Sequence, residues 1–205
     1  MPKIVDHDER RRDIANAVLR IITHEGISGA NLRLVAKEAG WSTGIINHYF
    51  GDKQALLAGA LREAFEAVGD RMRMIQHKQT GVKRVIALLE AGMPLDDERA
   101  SMCRIFYHFS SAGMSEPEFG AELANYFSWW RLEVAASIKY AQADGAFKAC
   151  VPKELSETLI ALAEGLGIQT LFDPAAMSPR RLRQRLRQNV NHFAQQPVQV
   201  EPEHG

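Results

Sequence analysis

Only two cysteines occur in the 205 residues, Cys103 and Cys150, and they show neither a Cys-x-x-Cys nor a Cys/His ligand spacing. That excludes a disulfide framework and an ordinary zinc motif, and leaves two reduced, buried thiols as the expectation, with one lone disulfide as the alternative. Long apolar runs are also lacking: none approaches the ~18–20 residues a bilayer requires. The first twelve residues are polar, with no apolar stretch of signal-peptide type. Alternating β-branched runs bounded by turn residues, the mark of strands, are missing too. Net charge is absent, with 25 Lys+Arg against 25 Asp+Glu. A neutral chain cannot coat nucleic acid through charge alone, although it can still read DNA through a few placed groups. No H-x-x-E-H-type motif and no phosphate-cradling glycine loop occurs. Cys103 and His108, five positions apart on a helix, point in different directions and form no dyad. A soluble cytoplasmic protein is expected, with no catalytic residues, no metal, no cofactor and no membrane partner.

What is present is an uneven distribution of charge. Residues 1–53 carry 8 basic and 7 acidic side chains (+1), residues 54–177 carry 12 and 16 (−4), and residues 178–205 carry 5 and 2 (+3). The middle is acidic and both ends are basic.

Apolar spacing reads as helix almost throughout, so the fold class is all-α with about nine helices. Ile14, Ala17, Val18, Ile21 and Ile22 fall on one face of a first helix, which Gly26 is expected to stop. Asn31 caps a second helix from Leu32 to Ala39, and Gly40 ends it, with Trp41 expected as a core plug in the turn. Ser42 caps a third helix from Thr43 to about Phe50, and Asp52 caps a fourth that carries Leu56, Leu57, Ala60 and Leu61. Five further helices are expected near 80–92, 97–112, 116–142, 153–172 and 179–193. The expected domains are 1–53, a helix-turn-helix unit, and 54–195, an effector-binding and dimerisation unit. A disordered tail, 196–205, follows.

Two short helices joined by Gly40-Trp41-Ser42 have the anatomy of a helix-turn-helix. The string Leu34-Val35-Ala36-Lys37-Glu38-Ala39-Gly40-Trp41-Ser42-Thr43-Gly44-Ile45-Ile46-Asn47-His48-Tyr49-Phe50, followed by Asp52-Lys53 and Leu56-Leu57, resembles the DNA-binding domain of the tetracycline-repressor (TetR) family. The resemblance covers about residues 8–57. Trp41 stands where the family usually has Val, and Asn47 where it commonly has an aromatic. The Ser-Thr-Gly-Ile-Ile-x-His-Tyr-Phe-x-Asp-Lys form looks most like the BetI-type repressors of choline and glycine-betaine metabolism. The resemblance implies a homodimer that binds a double-stranded operator, a C-terminal ligand-binding domain, and repression relieved by a small-molecule effector.

Chemistry assigns roles within the motif. Thr43 suits a base edge or a phosphate, Gly44 allows close backbone approach, and Ile45 can press on a thymine methyl. Asn47 can pair with adenine, while His48, Tyr49 and Lys53 suit phosphates. Arg33, matching a DNA-contacting family position, can reach guanine or phosphate. Ile46 and Phe50 read as core. Arg10, Arg11 and Arg12 either anchor phosphates or form a solvated helix start beside Asp8, Glu9 and Asp13.

In the acidic middle, Glu122, Tyr126, Trp129 and Glu133 place rings beside carboxylates, as recognition of a quaternary ammonium requires. Trp130 and Phe106 complete the candidate ligand set, although such residues also build core. Dimerisation is expected from two late apolar stripes, Leu159, Leu162, Ala163 and Leu166, and Leu182, Leu186, Val190 and Phe193. The competing reading is a helical interaction module whose helix-turn-helix is purely structural.

Overall fold

The structure, a computed structural model, describes residues 7–198. Among these the chain forms nine helices: α1 (His7–Gly29), α2 (Leu32–Ala39), α3 (Thr43–Phe50), α4 (Lys53–Lys78), α5 (Gly81–Glu90), α6 (Asp97–Gly113), α7 (Pro117–Ala143), α8 (Pro152–Phe172) and α9 (Pro179–Asn191). The all-α expectation holds, and the only pairing of strand type among the described residues is an isolated bridge between Phe147 and Ala194.

The caps explain the element boundaries. Asn31 Oδ1 accepts from the Leu34 N–H at 3.0 Å, Ser42 Oγ from Ile45 at 3.3 Å, and Asp52 Oδ1 from Ala55 at 2.8 Å. Each satisfies a donor that the first turn of a helix leaves unpaired. Gly40 adopts φ 72°, ψ 23°, the left-handed geometry that closes a helix, and the Trp41 N–H then bonds back to the Ala36 carbonyl at 2.9 Å. Gly26 does not stop α1 as expected. It kinks the helix at φ 70°, ψ −179°, and helical structure resumes to Gly29.

The chain divides into two compact units. The first takes residues 1–67 and 104–124, and the second 68–103 and 125–205. Neither boundary coincides with residue 53: the first half of α4 and the segment 104–124 pack with the helix-turn-helix. Arg62 bonds Glu122 at 2.7 Å, and the Phe65 and Phe106 rings meet edge to face at 6.5 Å. The core of the first unit is Ile14, Val18, Ile22, Val35, Ile46, Leu56 and Leu61, all fully buried.

In the second unit α5, α8 and α9 pack together. Leu182, Leu186 and Val190 are fully buried within the single chain, and Leu159 and Ala163 nearly so. These members of the stripes expected at a dimer interface are therefore covered within the single chain, while Leu162 is half-buried. Apolar periodicity shows that a face is covered but not which helix covers it, and here α5 is available to do so. Phe193, in the same expected set, stacks on Phe147 of its own chain at 6.3 Å.

Part of the expected disordered tail is held in place. Asn191 bonds both the N–H and the carbonyl of Val198 at 3.1 Å. Residues 199–205 lie outside the described residues, as do Met1–Asp6 at the start.

Candidate nucleic-acid interface and aromatic cluster

The α2–turn–α3 segment is anchored from below and open above. Ile46 is fully buried and Phe50 nearly so, which fixes the roll of α3 about its axis. Residues one position off that stripe consequently face out. Thr43, Gly44, Asn47 and His48 are exposed, while Ile45 and Tyr49 are half-buried. Arg33 and Lys53 are also exposed. The structure thus places every sequence-assigned contact on the open side, or at the margin, of one short helix and its flanks. Trp41 departs from expectation: it is half-buried rather than a core plug, with the Arg10 guanidinium over its ring at 4.7 Å.

Three further contacts escaped sequence reasoning. Tyr49 Oη lies 2.9 Å from His7 Nδ1, the Arg11 guanidinium sits 5.0 Å from the Phe50 ring centre, and Arg20 pairs with Glu38 at 2.7 Å. The available signal was the spacing of His7, Arg10 and Arg11, which continues the buried stripe through Ile14 and Val18.

Gly40-Trp41-Ser42-Thr43-Gly44 also spells the G-x-S-x-G spacing of a hydrolase nucleophile elbow. That motif needs a strand leading into the turn. Here a helix leads in, and the Ser42 oxygen is engaged as a helix cap. Among the described residues no side-chain base hydrogen-bonds the Ser42 hydroxyl.

The candidate effector residues fall in both units. In the first, the Phe106 ring packs on Phe65 and Tyr107, and the Glu122 carboxylate is already neutralised by Arg62. In the second, Tyr126 lies 6.1 Å from Trp129 and 5.9 Å from Trp130, ring centre to ring centre. Trp130 is fully buried and donates its Nε1 hydrogen to the Leu88 carbonyl at 3.3 Å, as a core residue does. Trp129 is half-buried. Glu133 accepts a hydrogen bond from Gln76, a neutral donor. Burial, reinforced by the Glu164 and Cys103 side chains nearby, pushes the Tyr126 phenol well above its ordinary pKa and keeps it neutral.

Among the described residues no group of three or more His, Cys, Asp or Glu is placed to hold a metal ion. Likewise, no described helix is long and apolar enough to cross a membrane.

Residues 14–60 match the model for bacterial regulatory proteins of the tetR family, and residues 82–195 match the C-terminal model of BetI-type transcriptional repressors. The chain belongs to the TetR family. This TetR-family protein is a transcriptional regulator rather than an enzyme, with a BetI-type C-terminal domain. The transcriptional regulator PksA of Bacillus subtilis (strain 168) is 32% identical over 193 residues, covering 93% of this chain and 92% of that one. BetI 1 of Chromohalobacter salexigens is 27% identical over 190 residues, covering 90% of each. A transcriptional regulator from Saccharomonospora viridis, solved in complex with choline, superposes with a TM-score of 0.84 at 25% identity, over 92% of this chain and all of that one.

Proposed function

We propose that this regulator is a cytoplasmic homodimeric repressor that reads a palindromic operator with α3 and is released by a small cation of quaternary-ammonium type. One observation carries the DNA reading. A capped helix is pinned by Ile46 and Phe50 so that Thr43, Gly44 and Asn47 stand exposed at its N-terminal end. That is the end of a recognition helix that enters the major groove. Arg33, Asn47 and Lys53 make no side-chain hydrogen bond or ion pair among the described residues, so DNA would not have to displace an internal partner. In the proposed complex Arg33 and Asn47 meet base edges, while His48, Tyr49 and Lys53 set register on phosphates.

For the effector, the residues best suited to a cation are Tyr126, Trp129 and Glu133. Their spacing of three and four puts them on one face of α7. Ring faces attract a quaternary ammonium and a carboxylate without a cationic partner neutralises it. The choline bound by the Saccharomonospora viridis relative supports this class of ligand.

A homodimer needs an apolar face that the single chain leaves open. On α8 that face is Ala161, Gly165, Ile168 and Phe172, with Ile168 38% and Phe172 82% exposed. A Cβ built on Gly165 meets nothing within 4 Å, so a second helix could approach closely there. Two recognition helices related by the dimer axis would then sit one helical turn of DNA apart, ~34–36 Å, or a multiple of it. Effector binding would favour a different spacing, weakening DNA binding by its differential affinity for the two states.

The test is retardation of the DNA upstream of the protein's own gene against a scrambled duplex, with and without choline. Sequence-dependent retardation reversed by choline supports the whole reading. Equal retardation of both duplexes returns the helix-turn-helix to a structural role.

A further inference from the structure

Past its last core turn, α1 continues toward its N-terminus with a face that meets the reading segment while His7 and Arg11 stay exposed and Arg10 half-buried. His7, Arg10 and Arg11 occupy positions i, i+3 and i+4, in line with buried Ile14 and Val18. Each meets an aromatic ring of the reading segment. His7 Nδ1 is 2.9 Å from Tyr49 Oη, Arg10 lies over Trp41 at 4.7 Å, and Arg11 lies over Phe50 at 5.0 Å. Of the acidic residues of this helix start, Glu9 and Asp13 align with exposed Asn16 and Arg20, while Asp8 stands one turn before Arg11 and Arg12. Arg12 is turned elsewhere, toward Glu63 at 3.9 Å.

We infer that Arg10 and Arg11 are phosphate-binding residues of the DNA interface, positioned by stacking on Trp41 and Phe50. The inference rests on α3 being the reading helix. A guanidinium on a ring face keeps its edge donors free, because stacking uses the plane and hydrogen bonding uses the rim. No carboxylate among the described residues forms an ion pair with either side chain. Both guanidinium groups are therefore held beside the reading helix by a ring and without a carboxylate partner among the described residues. Stacking reduces the rotamer freedom that an arginine would otherwise lose on meeting a phosphate. The tryptophan in the turn then has a purpose that a smaller apolar residue would not serve: it is the platform for Arg10. The Tyr49 hydroxyl, fixed by His7, shows that the start of α1 abuts the end of α3.

Fluorescence anisotropy of an operator duplex, titrated across several salt concentrations, tests this. Each phosphate contact contributes about 0.9 to the slope of log K against log salt. Arg10→Gln and Arg11→Gln should each flatten the slope by about 1 per subunit, and weaken operator and scrambled DNA alike. Arg10→Lys should keep the slope. Trp41→Val should weaken binding as Arg10→Gln does, and add nothing further in the Arg10→Gln background. Melting temperatures identify any variant that has lost its fold, and the lysine variant then decides the matter by its slope. Unchanged slopes in both glutamine variants, with the parent binding its operator, overturn the inference alone. A parent that shows no sequence preference overturns the reading of α3 on which it stands.

Discussion

The Arg62 guanidinium donates to the Glu122 carboxylate at 2.7 Å, joining α4 to α7 within the first compact unit. That pairing separates two carboxylates that look equivalent in sequence. Glu122 is paired with a cation, whereas among the described residues Glu133 accepts only from the neutral Gln76 amide. We predict that Glu133→Gln weakens choline binding by about tenfold or more, because a unit-charge attraction at ~4 Å is worth ~1–4 kcal/mol between bulk water and a protein surface and ~1.4 kcal/mol is tenfold. Glu122→Gln should leave that affinity nearly unchanged. Tryptophan quenching by choline measures both, and should be lost in Trp129→Ala.

The dimer face is checked by a pair of substitutions with opposite signatures. Phe172→Asp should convert the dimer to a monomer in sedimentation while the helical circular dichroism and melting of each chain persist. Leu186→Ala should instead lower stability by about 2–5 kcal/mol, the usual cost of a cavity in a packed core. Dissociation by the Leu186 variant without loss of stability would put the interface back on α9.

Phe50 packs closely against α4. A Cβ added at Gly59 would lie 2.6 Å from Phe50 Cε1, inside contact distance, so the ring would have to move. Because Phe50 both pins α3 and carries Arg11, Gly59→Ala should destabilise the protein by about 1–3 kcal/mol and weaken operator binding. Denaturant melts and operator titrations of the same preparation measure the two effects together.

Acid should weaken the start of α6. The Arg99 side chain and then its backbone N–H hold the Asp96 carboxyl below its ordinary pKa of 3.8. A depressed pKa stabilises the fold above the unfolded value and loses that contribution as pH falls through the folded one. Asp96→Asn should therefore cost stability at neutral pH and flatten the acid limb below about pH 4. Because Asp96 is half exposed, solvent screening keeps the ion-pair part below ~1 kcal/mol. Melting temperature against pH for parent and variant gives the comparison.

Local chemistry made the reading head legible in sequence. Asn31, Ser42 and Asp52 are caps in sequence and caps in the structure, because a capping bond spans three residues and needs no distant partner. The stripe through Ile46 and Phe50 is equally local. Long-range pairings were not legible. Nothing in the spacing of Leu182, Leu186 and Val190 tells an internal neighbour from a second chain, and nothing near Glu122 names Arg62, sixty residues away. Trp41 fell between these cases. Its size suggested core, yet its position in the turn leaves half of it open to carry Arg10.

The central claim is that the α2–turn–α3 segment reads sequence through Asn47 of α3 and Arg33 of α2. The most direct test is the ratio of affinities for an operator and a scrambled duplex, measured side by side for the parent, Asn47→Ala and Arg33→Ala at one salt concentration. The account predicts a parent ratio of about 10³ or more. Asn47→Ala should reduce that ratio by about tenfold to a hundredfold, as loss of a bidentate base contact does. Arg33→Ala should weaken operator binding, with dimer mass unchanged in both variants. Full operator affinity and an undiminished ratio in both variants would contradict it.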